Sequence, residues 1–232
     1  GIQSLVVGVS GGIDSAVVST LCAKTGLPTY VVAMPLNSTH QNTRLSDLHT
    51  KQLAEKYENV TRVEVELSSV YDSLLHSINW WSEAQQFDRK EFTSDELANA
   101  NTKSRIRMVT LYQIAGAKKG IVVGTGNKVE DYGIGFYTKY GDGGVDIAPI
   151  ADLYKTEVRE LGGHLGVDAL IIDAKPTDGL WDDGRSDEDQ IGATYAELEE
   201  AMENGTGKAV DILYKFNNKN QHKMNPIPTF KL

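Results

Sequence analysis

Ser10-Gly11-Gly12-Ile13-Asp14-Ser15 is the part of this chain whose residue types and spacing speak most directly of chemistry. The apolar run Leu5-Val6-Val7-Gly8-Val9 precedes it, and a helix-compatible stretch follows. Strand, glycine turn and helix together make an anion cradle. Small residues let backbone N–H groups face a phosphate, and the helix N-terminus adds favourable potential. The segment has no lysine, so it is not the G-x-x-x-x-G-K-[ST] nucleotide loop, and the G-x-G-x-x-G dinucleotide pattern is also absent. Further along, Gly124-Thr125-Gly126 forms a second glycine turn with Glu130 shortly beyond it, and Gly141-Asp142-Gly143-Gly144 forms a third loop of phosphate size. These regions meet if they lie beyond the carboxyl ends of strands in one sheet.

The hydrophobic pattern supplies such a sheet. Ser4 to Val9 reads as a buried strand and Asp14 to Lys24 as the helix after it. Tyr30 to Met34 is a second strand ending near Pro35, Asp47 to Tyr57 a helix, and Val60 to Leu67 an alternating third strand. Thr102 to Ala117 has the apolar spacing of an amphipathic helix, with Arg105 and Arg107 near its start, and Ile121-Val122-Val123 is another strand. Tyr154 to Leu165 and Asp168 to Ile172 follow, then the Gly-, Asp- and Pro-rich loop Lys175 to Asp187, read either as a lid or as a solvated connector. Asp187 to Met202 and Gly207 to Phe216 read as two closing helices, with His222-Lys223 before a proline-rich tail. Repeated strand–helix order predicts an α/β fold: a single domain over residues 1–232 with a mostly parallel sheet and helices on both faces.

Composition narrows the function. A chain of 232 residues can bury one large core without disulfides. Its one cysteine, Cys22, lies in an apolar helical stretch and reads as packing; it favours a reducing compartment. A formal charge of −9 argues against a broad nucleic-acid surface, while leaving room for small phosphorylated substrates held by a few local cations. No apolar run reaches the ~20 residues that cross a bilayer and no basic signal-like segment opens the chain, so a cytoplasmic enzyme is expected, with no membrane and no nucleic acid among its partners. Trp80-Trp81 reads as a packed aromatic pair or a subunit contact ahead of a ligand platform.

With these residues in view, the chain resembles the ammonia-dependent NAD synthetase family, within the ATP pyrophosphatases. Ser10 to Ser15, the run Gly124 to Glu130, and Phe136-Tyr137-Thr138-Lys139-Tyr140-Gly141-Asp142-Gly143-Gly144-Val145-Asp146 carry the resemblance, which extends to His222-Lys223. It implies an adenine-nucleotide alpha-hydrolase-like fold. The implied activity is that of a ligase: ammonia joins the nicotinate carboxyl of deamido-NAD, with ATP as co-substrate, through an adenylated intermediate that yields NAD, AMP and pyrophosphate. The resemblance implies ATP contacts at Gly8, Val9, Ser10, Gly11, Gly12, Ile13, Asp14, Ser15, Thr125, Lys155 and Thr177. It implies Mg2+ held by Asp14 and Glu130, with Asp14 and Lys155 catalytic. Deamido-NAD contacts fall at Arg105, Lys139, Asp146, His222 and Lys223, and a homodimer is implied, with the substrate close to or across the subunit interface.

Three departures from the family pattern stand out. Pro35-Leu36-Asn37-Ser38-Thr39-His40-Gln41 differs from the usual adenosine loop, one extra residue lies between Glu130 and Lys139, and the chain starts close to its first strand, as though short of a leading segment. The length leaves no room for the amidase domain of glutamine-dependent relatives, which implies free ammonia. Two alternatives belong beside this reading: another ATP pyrophosphatase that amidates or modifies a nucleotide, or a silent ATP-binding regulator on the same scaffold.

Overall fold

The computed structural model describes residues 1–37, 40–85, 92–177 and 185–230. Four strands form one parallel sheet in the order β3-β2-β1-β4: β1 Ser4–Gly8, β2 Thr29–Ala33, β3 Val60–Glu64 and β4 Gly120–Val123. A parallel bridge from Val123 to Ile147 extends the β4 edge. Both faces of the sheet are covered, as a parallel sheet requires. Leu5, Val7, Val31 and Val123 pack against α1 (Ile13–Lys24), α2 (His40–Lys56), α5 (Lys155–Leu165) and α6 (Ala169–Ile172). The alternate residues Val6, Val32 and Val122 pack against α4 (Glu96–Ala117). The strand order places β1 between β2 and β4, so the loops leaving β1 and β4 open onto the same crevice.

Several element bounds differ from the sequence reading, each for a local reason. α2 begins at His40 rather than Asp47, because residues 40–44 contain no apolar side chain from which a period could be read. α4 begins at Glu96 rather than Thr102, set by Asp95, whose carboxylate accepts the Ala98 N–H at 2.7 Å. The span Asp187 to Met202 is two helices, α7 (Asp187–Ile191) and α8 (Tyr195–Asn204). The break falls at Gly192, where φ is 84°, and Thr194 with Glu197 forms a capping box that restarts the chain. α9 (Val210–Met224) runs past Phe216 and carries His222 and Lys223 in its last turn. α3 (Ser68–Ala84) carries Trp80 and Trp81, which do not pack as a pair: Trp81 instead meets Phe92 at 6.2 Å between ring centroids.

α8 and α9 join a second apolar cluster around Val129, Ile134, Leu198 and Leu213. Between β4 and this cluster the chain makes a single π-helical turn, Val129–Ile134. A π turn holds one more residue than an α turn. It overlaps the start of the Glu130–Lys139 segment. Gly135 ends the turn in the left-handed region at φ 61°, where its backbone lies so close to Asn220 that a Cβ would meet that side chain at 2.6 Å.

Candidate active site

The Ser10–Ser15 loop is built to leave N–H groups facing outward. Gly11 takes φ 94°, a left-handed conformation open to glycine, and the loop closes on itself through its two serines. Ser15 Oγ donates to the Gly12 carbonyl at 2.9 Å and accepts the Ser10 N–H at 3.2 Å, and Ser10 Oγ accepts the Gly12 N–H at 3.3 Å. Gly12 caps α1 without a side chain, so no capping group takes the N–H groups of the first turn, which are the ones an anion would use.

Three charged side chains from three elements converge beside this loop. Asp14 stands in the first turn of α1, Glu130 on the π turn, and Lys155 at the start of α5. Lys155 is 2% exposed; its Nζ lies 2.5 Å from Asp14 Oδ2 and 3.2 Å from Glu130 Oε1. Glu199 of α8 anchors α5, accepting the Thr156 hydroxyl at 2.7 Å and the Thr156 N–H at 3.1 Å. Burial works against the Lys155 charge, but Asp14 and Glu130 outweigh it and hold the ammonium above the ordinary lysine range. Burial pushes the Glu130 carboxyl up, opposed by Lys155. One ammonium facing two carboxylates leaves the site short of positive charge and receptive to another cation.

Two further residues hold this arrangement, and neither was singled out from sequence. Asn127 is fully buried: its Nδ2 donates to Asp14 Oδ1 at 3.2 Å, while its Oδ1 accepts the N–H groups of Val129 and Glu130. Tyr195 donates its hydroxyl to Glu130 Oε1 at 2.6 Å. Asn127 had a signal, since an Asn after a glycine turn is a natural backbone tie. Tyr195 had none, because only tertiary packing brings α8 to the π turn.

A cleft of about 440 Å³ runs over the strand ends. Gly8, Val9, Ser10, Gly12, Ile13, Asp14, Ser15, Thr125, Glu130, Lys155 and Thr177 all line it, as does Lys223; Gly11 lies in the loop behind the wall. At the β3 side Asp47, Arg62 and Glu64 also border the cleft, with Arg62 paired to both carboxylates. Ser38 and Thr39 of the departed adenosine loop lie outside the described residues, and so do residues 178–184 of the expected lid.

The remaining predicted substrate residues form a second cluster at the α4–α9 side. Arg105 Nε donates to the Lys139 carbonyl at 3.3 Å, and Lys139 Nζ to the His222 carbonyl at 2.5 Å. Lys223 Nζ donates to the carbonyls of Tyr137 at 2.7 Å and Gly135 at 2.9 Å; burial lowers the pKa of this amine. Asp146 is not brought to the cleft. Its carboxylate instead accepts the Val122 N–H at 2.8 Å and the Tyr112 hydroxyl at 3.1 Å, tying the loop to the sheet edge. Arg107, unlike Arg105, lines the cleft and donates to the Met34 carbonyl at 3.2 Å. Trp80 and Trp81 lie away from it.

Among the described residues no group of three or more His, Cys, Asp or Glu side chains could enclose a metal. Asp14 and Glu130 form a two-carboxylate set of hard oxygens, which suits Mg2+ when substrate phosphates complete its shell. Cys22 is buried away from this chemistry, with its thiol pushed up to about 11 by burial.

A lysine-free glycine loop at the end of β1, paired with two carboxylates and a buried lysine on a parallel sheet, defines an α/β enzyme of the adenine-nucleotide alpha-hydrolase fold. The chain belongs to the NAD synthase family, which it matches over residues 1–228. It is 38% identical over 225 residues to the NH(3)-dependent NAD(+) synthetase of Carboxydothermus hydrogenoformans, covering 95% of this chain and 86% of that protein. Among solved structures, the NMN synthetase of Francisella tularensis aligns with a TM-score of 0.87 and 33% identity, over 100% of this chain and 90% of that one. The NH3-dependent NAD synthetase of Campylobacter jejuni aligns with a TM-score of 0.73 and 25% identity, over 99% and 90%.

Proposed function

We propose that this protein is a ligase that joins ammonia to the nicotinate carboxyl of deamido-NAD, consuming ATP and yielding NAD, AMP and pyrophosphate. The observation that carries this reading is the convergence of Asp14, Glu130 and Lys155 at an anion-ready loop, in a chain that matches this family over residues 1–228. The substrate carboxylate attacks the α-phosphorus of ATP and pyrophosphate leaves. Ammonia then attacks the resulting acyl adenylate, AMP departs, and the nitrogen loses a proton. The loop N–H groups and Lys155 hold the phosphates and offset the charge that accumulates on them. Mg2+, held by Asp14 and Glu130, would screen phosphate charge and stabilise the leaving pyrophosphate. No side chain needs to become covalently attached, because positioning and electrostatics carry both steps.

Arg105, Lys139 and Lys223, with His222, contact the dinucleotide in this reading; the Arg105–Lys139 and Lys139–His222 contacts at the α4–α9 edge support it. Asp146, whose carboxylate also ties its loop to the sheet edge, belongs with them as a dinucleotide contact in this reading. We also infer a homodimer. Trp80 and Trp81 are 66% and 49% exposed, and Val70, Leu74 and Val109 on the same two helices, α3 and α4, are exposed as well, large apolar side chains of the kind that an interface covers. Among the described residues no helix is long and apolar enough to cross a membrane. The ATP requirement and a free, buried cysteine support a cytoplasmic setting.

The test is a purified-enzyme assay with ATP, Mg2+, deamido-NAD and ammonium that follows NAD and pyrophosphate together and omits each component in turn. Equimolar products that need every component establish the reaction. A folded, ATP-binding sample that makes no NAD refutes it. One second reading has a specific observation behind it. The similarity to an NMN synthetase at TM-score 0.87 favours the mononucleotide of nicotinate as an alternative acceptor. The same assay with that mononucleotide decides between them by kcat/KM.

A further inference from the structure

Asp14, Glu130 and Lys155 come from three different elements, so tertiary contacts set their mutual geometry: Asn127 ties Asp14, and Glu130 needs a partner of its own. Tyr195, the first residue of α8, is 1% exposed and does not line the cleft. Its hydroxyl has two acceptors in reach: Glu130 Oε1 at 2.6 Å and Asp187 Oδ2 at 3.4 Å. A phenol has one proton to give, and the shorter contact takes it. The face of the same ring lies 4.7 Å from Lys155 Nζ.

We infer that Tyr195 is a positioning residue for the metal and phosphate groups: its hydroxyl pins one oxygen of Glu130 so that the other is presented to the cation, while its ring steadies Lys155. The physical argument rests on what must change when substrates arrive. Lys155 spends donors on both Asp14 and Glu130, and those donors are the ones that a phosphate would claim. When they turn to phosphate, Glu130 Oε1 loses one of its two donors and would be free to rotate, but the Tyr195 hydroxyl stays with it. A cation over an aromatic face needs no hydrogen-bond donor, so the ring holds the ammonium while leaving its N–H groups available. Tyr195 therefore acts through Glu130 and Lys155 and touches no substrate. The inference rests on the proposed Mg2+ reading and names the residue that makes the two-carboxylate set competent for it.

The experiment compares wild type with Tyr195→Phe, which keeps the ring and removes the hydroxyl. Mn2+ binding is measured by electron paramagnetic resonance with a non-hydrolysable ATP analogue present, and the Mg2+ dependence of turnover is measured in parallel. The loss of a hydrogen bond to a charged group predicts about a tenfold weaker Mn2+ affinity and a similar rise in half-saturating Mg2+. At saturating Mg2+, kcat should return to within about threefold of wild type, because the retained ring still holds Lys155. Equal Mn2+ affinity in the two proteins overturns the role of Tyr195 while leaving the metal reading intact. No Mn2+ binding to wild type overturns the metal reading itself. A kcat loss that Mg2+ does not recover also overturns the inference. If Tyr195→Phe does not fold, the same Mn2+ and Mg2+ titrations are made on Tyr195→Leu, which removes hydroxyl and ring together: the inference then requires weaker Mn2+ binding than in wild type, and equal affinity refutes it.

Discussion

Lys155→Met tests the electrostatic logic of the site most directly. Methionine keeps much of the side-chain volume at a position that is 2% exposed, so packing changes little while the only ammonium within contact of Asp14 and Glu130 among the described residues disappears. Breaking a buried ion pair by removing one partner costs about 3 to 5 kcal/mol, because an uncompensated charge remains. Here two carboxylates remain, with side chains 15% and 16% exposed, so the lower part of that range is the better guide. The loss should depend on pH, and the sign follows from Glu130. Burial already raises its folded pKa above the ordinary 4.5, and without Lys155 it rises further. An acid with a raised folded pKa binds more protons folded than unfolded, so its penalty fades as pH falls through the raised value toward 4.5. Lys155 stays charged across that window in both states and adds no slope of its own. Urea unfolding at pH 8 and pH 5 should therefore show a deficit of about 3 kcal/mol at the higher pH that shrinks by roughly 1.4 kcal/mol for each pH unit over which the folded form holds one extra proton. Mg2+ should restore part of the stability at pH 8, while kcat should fall by about two to three orders of magnitude, as for loss of a transition-state donor. A deficit under about 1 kcal/mol at pH 8, or one equal at both pH values, would show that Lys155 does not compensate the carboxylates.

Four other outcomes are expected. His49 is buried, its Nε2 lies 2.9 Å from Ser19 Oγ, and burial lowers its pKa to about 4; wild type should lose up to about 3 kcal/mol relative to His49→Gln as pH drops from 6.5 to 4, since only the unfolded state takes the proton there, and parallel curves would refute this. Gly135→Ala should cost about 2 to 4 kcal/mol in urea unfolding, from the left-handed backbone and the 2.6 Å approach to Asn220; a neutral result would mean that the π turn relaxes freely. Trp80→Glu with Trp81→Glu should convert a dimer to a monomer in light scattering, whereas wild type already monomeric at micromolar concentration would refute the interface. Cys22→Ala should keep turnover within about twofold, and the thiol of the folded wild type should resist alkylation at pH 8; an inactive but folded variant would contradict its purely packing role.

Local chemistry made much of this protein legible in its sequence. Ser10 to Ser15 announces its cradle because glycines, a strand before and a helix after are all contiguous, and the near-continuous apolar runs of β1, β2 and β4 report the two covered faces. Helix ends were missed where a capping motif lay inside a longer helical pattern, as at Thr194-x-x-Glu197, where the signal was a backbone angle, as at Gly192, or where a polar first turn hid the start of α2. The site divides the same way. Asp14, Glu130 and Lys155 could be named from the chain through a resemblance, but their meeting at 2.5 and 3.2 Å depends on β4 lying beside β1 and on Glu199 drawing α5 to α8. Tyr195 emerged only from the fold, and so did the contacts that tie the Asp146 carboxylate to the sheet edge. The sequence determined which groups could bind phosphate and carry charge, because side-chain chemistry and short-range backbone preference are properties of neighbouring residues. The tertiary structure decided which of those groups meet, because burial and hydrogen-bond pairing depend on elements far apart in the chain that only a packed core brings within a few ångströms.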